Sequence, residues 1–438
     1  MKRSELGTTQ NIFTPYTGGD NTNESVFRFN SSDHLNIYDS GATRGQVTTK
    51  AKFRDPSAWY HIVVVLDITR AGSKERIKIF VNGEEQEFTV NNSIGTSDWG
   101  WNGAKLHRFG GYARNTTSNF VGYLAEAHMI DGTVLGPDDF GEYNKGVWVP
   151  KETSGLTYGT NGFYFPFDDS SAIGDDESGN GNDFTATNLA AHDVVPDSPT
   201  NSYCTMTSLP SDYISQITFS EGNLKCQNST VHKSMWATFA ITSGKWYWEA
   251  DNAGGNKFTI GLSDANNTSY KQDGGTNNIV GYTPSSSYAY GDAVGLYAGT
   301  LRKNGSTVAS SLGYAIGDKM AIAFDADAGK LWFRKNGTWF NGSGTDSTTL
   351  DPNNHDTTVT TGEAYVPVFS LETPATWVVN FGQDSTFAGA ETAGGNADEN
   401  GEGDFFYAVP SGFLALCTAN PPIVTGKRTI LTKIYNPS

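Results

Sequence analysis

Cysteine is scarce: Cys204, Cys226 and Cys417 are the only three in 438 residues. An odd number at such wide spacing builds neither a disulfide framework nor a metal-ligand set, so they read as small buried hydrophobes. Long apolar runs are missing too. No stretch of eighteen apolar residues occurs, and Met1-Lys2-Arg3 is not followed by the apolar core of a signal peptide. No membrane insertion is therefore expected. Positive charge is the third shortage, with 30 Lys and Arg against 47 Asp and Glu and a formal net charge of -17. Phosphate contacts need clustered cations, so nucleic acid is not an expected partner, and the acidity reads as a surface that repels its neighbours.

Glycine and aromatic residues are abundant. Fifty Gly, with 13% aromatic and only 18% charged residues, favour many short strands joined by tight turns. The expected fold class is all-β: two antiparallel β-sandwich (jelly-roll-like) domains joined by a polar, loop-rich linker. Composition places the first at 1–165, an Asp/Gly/Asn-rich linker at 166–202, the second sandwich at 203–420 and a C-terminal extension at 421–438.

In the first unit the most apolar strand is Trp-Tyr-His-Ile-Val-Val-Val-Leu-Asp at 59–67. A clean alternation, Arg-Ile-Lys-Ile-Phe-Val-Asn-Gly at 76–83, ends in an Asn-Gly turn. The two form a hairpin with Ile77, Ile79 and Val81 on one side. With Gly-Tyr-Leu-Ala-Glu at 122–126, this succession resembles a laminin-G-like or concanavalin A-like sandwich. Some members of that superfamily hydrolyse glycans with paired carboxylates about 5 Å apart. The matching strand here has Glu126, then His128 where the central carboxylate belongs, then Asp131. A lone acid cannot be both nucleophile and acid/base, so no enzyme and no catalytic residue is expected.

The second unit centres on Ser-Gly-Lys-Trp-Tyr-Trp-Glu at 243–249. Three consecutive aromatics cannot share one face of a pleated strand, so this strand is covered on both faces. Asn336-Gly337 marks a tight hairpin after Leu331-Trp332-Phe333. These motifs, with Ile260-Gly261-Leu262, Gly317-Asp318 through Phe324-Asp325, and Val379-Asn380-Phe381-Gly382, resemble a SPRY domain. That resemblance implies a two-sheet sandwich that binds macromolecules through its loops.

Between them, Asp176, Ser178, Asn180 and Gly181 fit the first half of a calcium loop, but the twelfth position is Thr187 rather than a bidentate Glu. No cofactor is expected; calcium is the one ion considered, against an Asx-turn-rich linker. The whole block 162–201 resembles phage tail-fibre-like proteins. It implies a virion component, a tail or head fibre subunit that attaches to host-surface glycan or protein, contacts other virion proteins and forms homotrimers. A glycan-degrading enzyme and a capsid decoration protein are the alternatives. The same resemblance makes a longer intact chain an expectation at both ends, with 429–435 opening a further strand.

Candidate ligand residues are Trp99 and Trp101 in a Ser/Gly/Asp/Asn loop, where indole faces suit sugar stacking unless they pack beneath the loop. Tyr270, Tyr282, Tyr288 and Tyr290 in Gly/Ser/Asn-rich loops have the composition of adaptable binding surfaces.

Overall fold

The computed structural model describes residues 1–16, 24–39, 45–96, 99–113, 117–144, 146–207, 217–228, 233–255, 258–266, 280, 292–297, 299–310, 312–342, 347–371 and 374–420. It is all-β. Its helical pieces among these residues are single 3-10 turns such as Ser73–Glu75 and Ala191–Asp193.

In the first sandwich a six-stranded antiparallel sheet runs in the order Leu106–Phe109, Gln10–Tyr16, Ser25–Phe29, Leu35–Asp39, Gln46–Thr49, Phe88–Asn91. Ile12, Phe29, Leu35, Ile37 and Val47 from this sheet close a core with Ile77, Ile79 and Val81 from the smaller sheet Ile62–Leu66, Ile77–Val81, Glu84–Glu85. The expected hairpin is there: Ile62 opposes Val81 and Leu66 opposes Ile77, and Asn82 and Gly83, both at positive φ, make the next turn, from Ile77–Val81 into Glu84–Glu85. Its apolar alternation also holds, since Ile77, Ile79 and Val81 are buried while Lys78 and Phe80 are half-buried. All five residues of Ile62–Leu66 are only half-buried, although none is polar.

The second sandwich is larger. One sheet runs Ile217–Ser220, Lys225–Asn228, Ala375–Asn380, Lys245–Gly254, Lys319–Asp325, Lys330–Lys335, Thr338–Trp339. The other runs Lys233–Trp236, Tyr365–Leu371, Phe258–Asp264, Ala293–Tyr297, Thr300–Lys303, Ser306–Ala309. Lys245–Gly254 is central and covered on both faces. Trp246 and Trp248 enter the inter-sheet core, while Tyr247 packs oppositely with Trp332, Trp339, Phe405 and Phe413. Fully burying one aromatic side chain of this size is worth roughly 4–6 kcal/mol by area, before ordering costs. The outer cover comes from residues 403–417, where the sequence leads one to expect a returning strand at 405–416. Only Leu414–Ala415 is a strand, running parallel to Lys245–Gly254; the rest lies across the aromatic face as coil.

All three cysteines are buried free thiols. Burial pushes the Cys204 thiol up to about 11, which keeps it protonated and inert. The polar block after residue 165 is anchored on its aromatic side, because Phe163, Phe165, Phe167 and Phe184 pack against Phe13 and Phe109. Residues 421–438, including the suggested strand at 429–435, lie outside the described residues.

Candidate functional site

Three places carry the functional geometry: the junction between the sandwiches, a cleft in the first, and the polar loops. The junction begins at Lys2–Arg3, which pairs with Gly122–Tyr123. Strand alternation sends the two cations to opposite sides. Arg3 enters the first core, its guanidinium 4.1 Å from the Phe29 ring centre and donating to Asp33 and to Phe53 O. Lys2 points the other way and is buried. Its Nζ donates to Asp197 Oδ2 at 2.8 Å, Ser202 Oγ at 3.2 Å and Tyr203 O at 2.7 Å. Trp59 Nε1 donates to the other Asp197 oxygen at 3.0 Å. One carboxylate thus ties the first sandwich to the entry of the second. Burial raises the Asp197 carboxyl above its ordinary value, and Lys2 opposes that rise.

A second contact closes the same junction. Tyr123 Oη donates to Gly222 O at 2.9 Å, and Asn223 Nδ2 donates to Ser4 O at 2.8 Å. Glu221, Gly222 and Asn223 all have φ between 50° and 70°. Consecutive left-handed residues cost roughly 1–2 kcal/mol for each non-glycine. A side chain at 222 would meet Tyr123 Cζ and Oη at 2.2 Å, so only glycine fits.

The cleft has a volume near 1910 Å³ and lies between Ile62–Leu66 and residues 124–131, with Trp101 and Asn102 on its wall. His128 stacks on Tyr164 at 4.4 Å and 7°, and its Nδ1 lies 3.0 Å from Tyr158 Oη. Glu126 is 3.9 Å from His128 Nε2, and Asp131 Oδ1 accepts from Asn102 Nδ2 at 2.6 Å. His61 Nδ1 accepts from Trp148 Nε1 at 3.0 Å, and burial pushes this imidazole down to about 4.

The residues singled out in sequence fall differently. Trp99 is 4% exposed and belongs to the core, so it packs beneath its loop rather than offering an open ring face. Trp101 is half-buried, 5.3 Å from Trp99, with Nε1 donating to Ser25 O. Tyr270, Tyr282, Tyr288 and Tyr290 lie outside the described residues. Asp176, Ser178 and Asn180 do share one loop. Asp176 accepts from the backbone of Tyr164, Ser178 and Asn182 and from Ser178 Oγ, while Asn180 Nδ2 donates to Gly159 O and Gly162 O. Burial alone would raise the Asp176 carboxyl, but these N–H donors outweigh it and hold it below the usual value. The carboxylate serves the loop's own backbone, as in Asx turns. Asp398 likewise accepts from the backbone of Asn400 and Glu402 in its loop, and also from Ala415 N and Asn420 Nδ2. Among the described residues, His192, Asp193 and Glu221 bring three ligand atoms within 4.8 Å of one another, two of them on exposed side chains.

Sequence reasoning passed over Lys2, Asp197 and Gly222. A single Lys at a chain start and an Asp in a proline-containing linker carry no local signal of pairing 195 residues apart.

Comparison with known proteins agrees with this architecture. Residues 1–139 match the family model of the concanavalin A-like lectin/glucanases superfamily, and residues 245–384 match that of the SPRY domain. The chain is a laminin-G-like, concanavalin A-like domain followed by a SPRY domain, a pairing that fits a binding or adhesive role. Solved structures similar to it include the SPRY domain of human HERC1, at 17% identity over 35% of this chain and 86% of that one, with a TM-score of 0.25. Another is the PSpry domain of TRIM65, at 15% identity over 40% and 88%, with a TM-score of 0.30. No curated protein matches.

Proposed function

We propose that the chain is a non-enzymatic structural and adhesive subunit of a phage virion, a tail or head fibre component that holds host-surface glycan or protein on its sandwich loops. The observation that carries the adhesive reading is the pairing of a concanavalin A-like domain with a SPRY domain. The viral setting rests on the sequence resemblance of block 162–201 to phage tail-fibre-like proteins alone. Trimers, virion partners and host attachment belong to the same reading. The net charge of -17 suits a particle surface that must not stick to its neighbours.

Binding to purified bacterial surface polysaccharide tests it. Retention without new reducing ends is the expected result, and reducing-end release would replace the adhesin with a hydrolase. Trp101→Ala is expected to weaken glycan retention about ten-fold if its ring carries stacking. Antibody labelling of intact particles places the subunit on fibres, or on the capsid if it is a decoration protein.

A further inference from the structure

The loop from Gly100 to Lys105 sets Trp101 and Asn102 on the wall of the cleft, and one imidazole closes it. His107 follows the loop on Leu106–Phe109 and stacks on Phe13 at 5.5 Å and 17°. Both of its ring nitrogens face backbone carbonyls. Nε2 lies 3.0 Å from Trp101 O, and Nδ1 lies 2.9 Å from Lys105 O. A carbonyl oxygen only accepts, so each nitrogen has to donate, and a neutral imidazole has a single N–H to give. Only the imidazolium completes both bonds. With one proton gone, a ring lone pair would meet a carbonyl lone pair at hydrogen-bond distance, and the ring or the loop has to move. The Nδ1 bond is local, two residues along the chain, whereas the Nε2 bond spans the loop and holds the backbone of Trp101. The other bonds of the loop are Gly103 N to Gly100 O at 3.2 Å and Lys105 N to Gly103 O at 2.8 Å, with Gly100 N and Trp101 Nε1 on Ser25 and Asn102 Nδ2 on Asp131.

We propose that His107 is a proton-dependent positioning residue for Trp101: with both ring nitrogens protonated it fixes the indole on the cleft wall, and loss of one proton frees the loop. The proposal rests on the adhesive reading above and deepens it, because Trp101 is the stacking residue of that reading. The surroundings leave the carbonyls as the groups that hold the second proton. Lys105 and Arg108 flank His107 on its own segment, and Gln10–Tyr16, on which it stacks, brings Tyr16 and no charge. Asp131 and Glu24, the carboxylates of the segments adjoining the loop, already accept from Asn102 Nδ2 and Tyr112 Oη. Imidazole is the side chain that changes charge between about pH 5 and 8, so acid firms the loop and alkali loosens it. Glycan retention through Trp101 follows the same direction.

The test uses the full chain and compares it with His107→Gln, which has no titrating ring, and with His107→Lys, which keeps a charged donor throughout. Nitrogen-15 spectra of the His107 ring are expected to show two protonated nitrogens at about pH 5 and one at about pH 8. Protection of the Gly103 and Lys105 amides, corrected for the intrinsic pH dependence of exchange, is expected to fall about ten-fold over that interval in the wild type. It should stay flat in both variants, low in His107→Gln and high in His107→Lys. Retention on purified bacterial surface polysaccharide should weaken about ten-fold over the same interval in the wild type and hold constant in His107→Gln. His61, Glu126 and His128 on the same cleft remain in that variant, so a slope that survives in it belongs to them and overturns the proposal. A single protonated ring nitrogen at about pH 5, or wild-type protection that ignores pH, also overturns it. If His107→Gln does not fold, the wild-type ring spectrum and His107→Lys still decide. Loop protection that follows pH while retention does not would uphold His107 as the closure of the loop and remove Trp101 from the adhesive reading, so the two fail separately.

Discussion

Replacing Lys2 with methionine tests whether the junction is held by a buried charge pair. The Lys2 and Asp197 side chains are 1% and 0% exposed, and three bonds converge on Nζ. Methionine keeps most of the apolar stem and removes the cation. Asp197 then remains buried with N–H donors from Trp59 and Tyr203 but no positive charge. Removing one partner of a buried pair costs about 3–5 kcal/mol, whereas replacing both by apolar groups is often neutral. Lys2→Met and Asp197→Leu should each lose stability in that range, and the double variant should lose much less than their sum. Two sandwiches need not unfold in one step, so the reading is native-state amide exchange at Tyr203, whose N–H bonds Asp197 at the junction, and at Cys204, whose N–H bonds Leu416 just inside the second sandwich. A Lys2→Met penalty below about 1 kcal/mol, or strict additivity in the double variant, would refute the reasoning, because both are the behaviour of an exposed pair.

Other outcomes follow from the same structure. Glu249 is buried and accepts from Tyr247 Oη, Phe406 N and Tyr407 N; burial nevertheless raises its carboxyl to about 7. The folded state then binds the extra proton, so this group's contribution is full below about 4.5 and falls by roughly 3 kcal/mol as pH rises through 7. Asp356, raised to about 6, acts in the same sense, and His61, lowered to about 4, acts oppositely at lower pH. Glu249→Gln keeps both of those and should flatten the pH 5–8 stability slope relative to wild type in urea titrations; parallel slopes would remove Glu249 from the account. Asp176→Ala should cost about 1–3 kcal/mol of local stability, because four donors lose one acceptor, and should be seen as faster exchange at residues 178 and 182. With its carboxyl held low, the Asp176 contribution should persist at neutral pH and be lost only as pH falls below the ordinary carboxylate range. Gly222→Ala should cost about 2 kcal/mol or more, since both the left-handed backbone and the 2.2 Å approach to Tyr123 resist a methyl group, and Tyr123→Ala in the same chain should recover part of it.

Much of the fold was legible because local chemistry and global packing agree there. Asn82-Gly83 and Asn336-Gly337 require positive φ and occupy hairpin turns, and the period-two placement of Ile77, Ile79 and Val81 fixes which face meets the core. Trp246, Tyr247 and Trp248 in succession demand cover on both faces of their strand, and they have it. The candidate sites were less legible. An indole in a polar loop has the same composition whether it stacks on a ligand or packs beneath the loop, and only the neighbours of Trp99 decide for packing. Asp176 and Ser178 have the spacing of an ion loop, yet that spacing equally lets a carboxylate cap its own backbone N–H groups.

The sequence alone determined that this chain folds as two antiparallel sandwiches, because alternation and glycine turns act over a few residues and need no distant partner. Tertiary structure decided what covers the outer face of Tyr247 and which buried carboxylate holds Lys2. Those depend on contacts between residues up to about two hundred positions apart, whose energy comes from burial and pairing that no local pattern encodes.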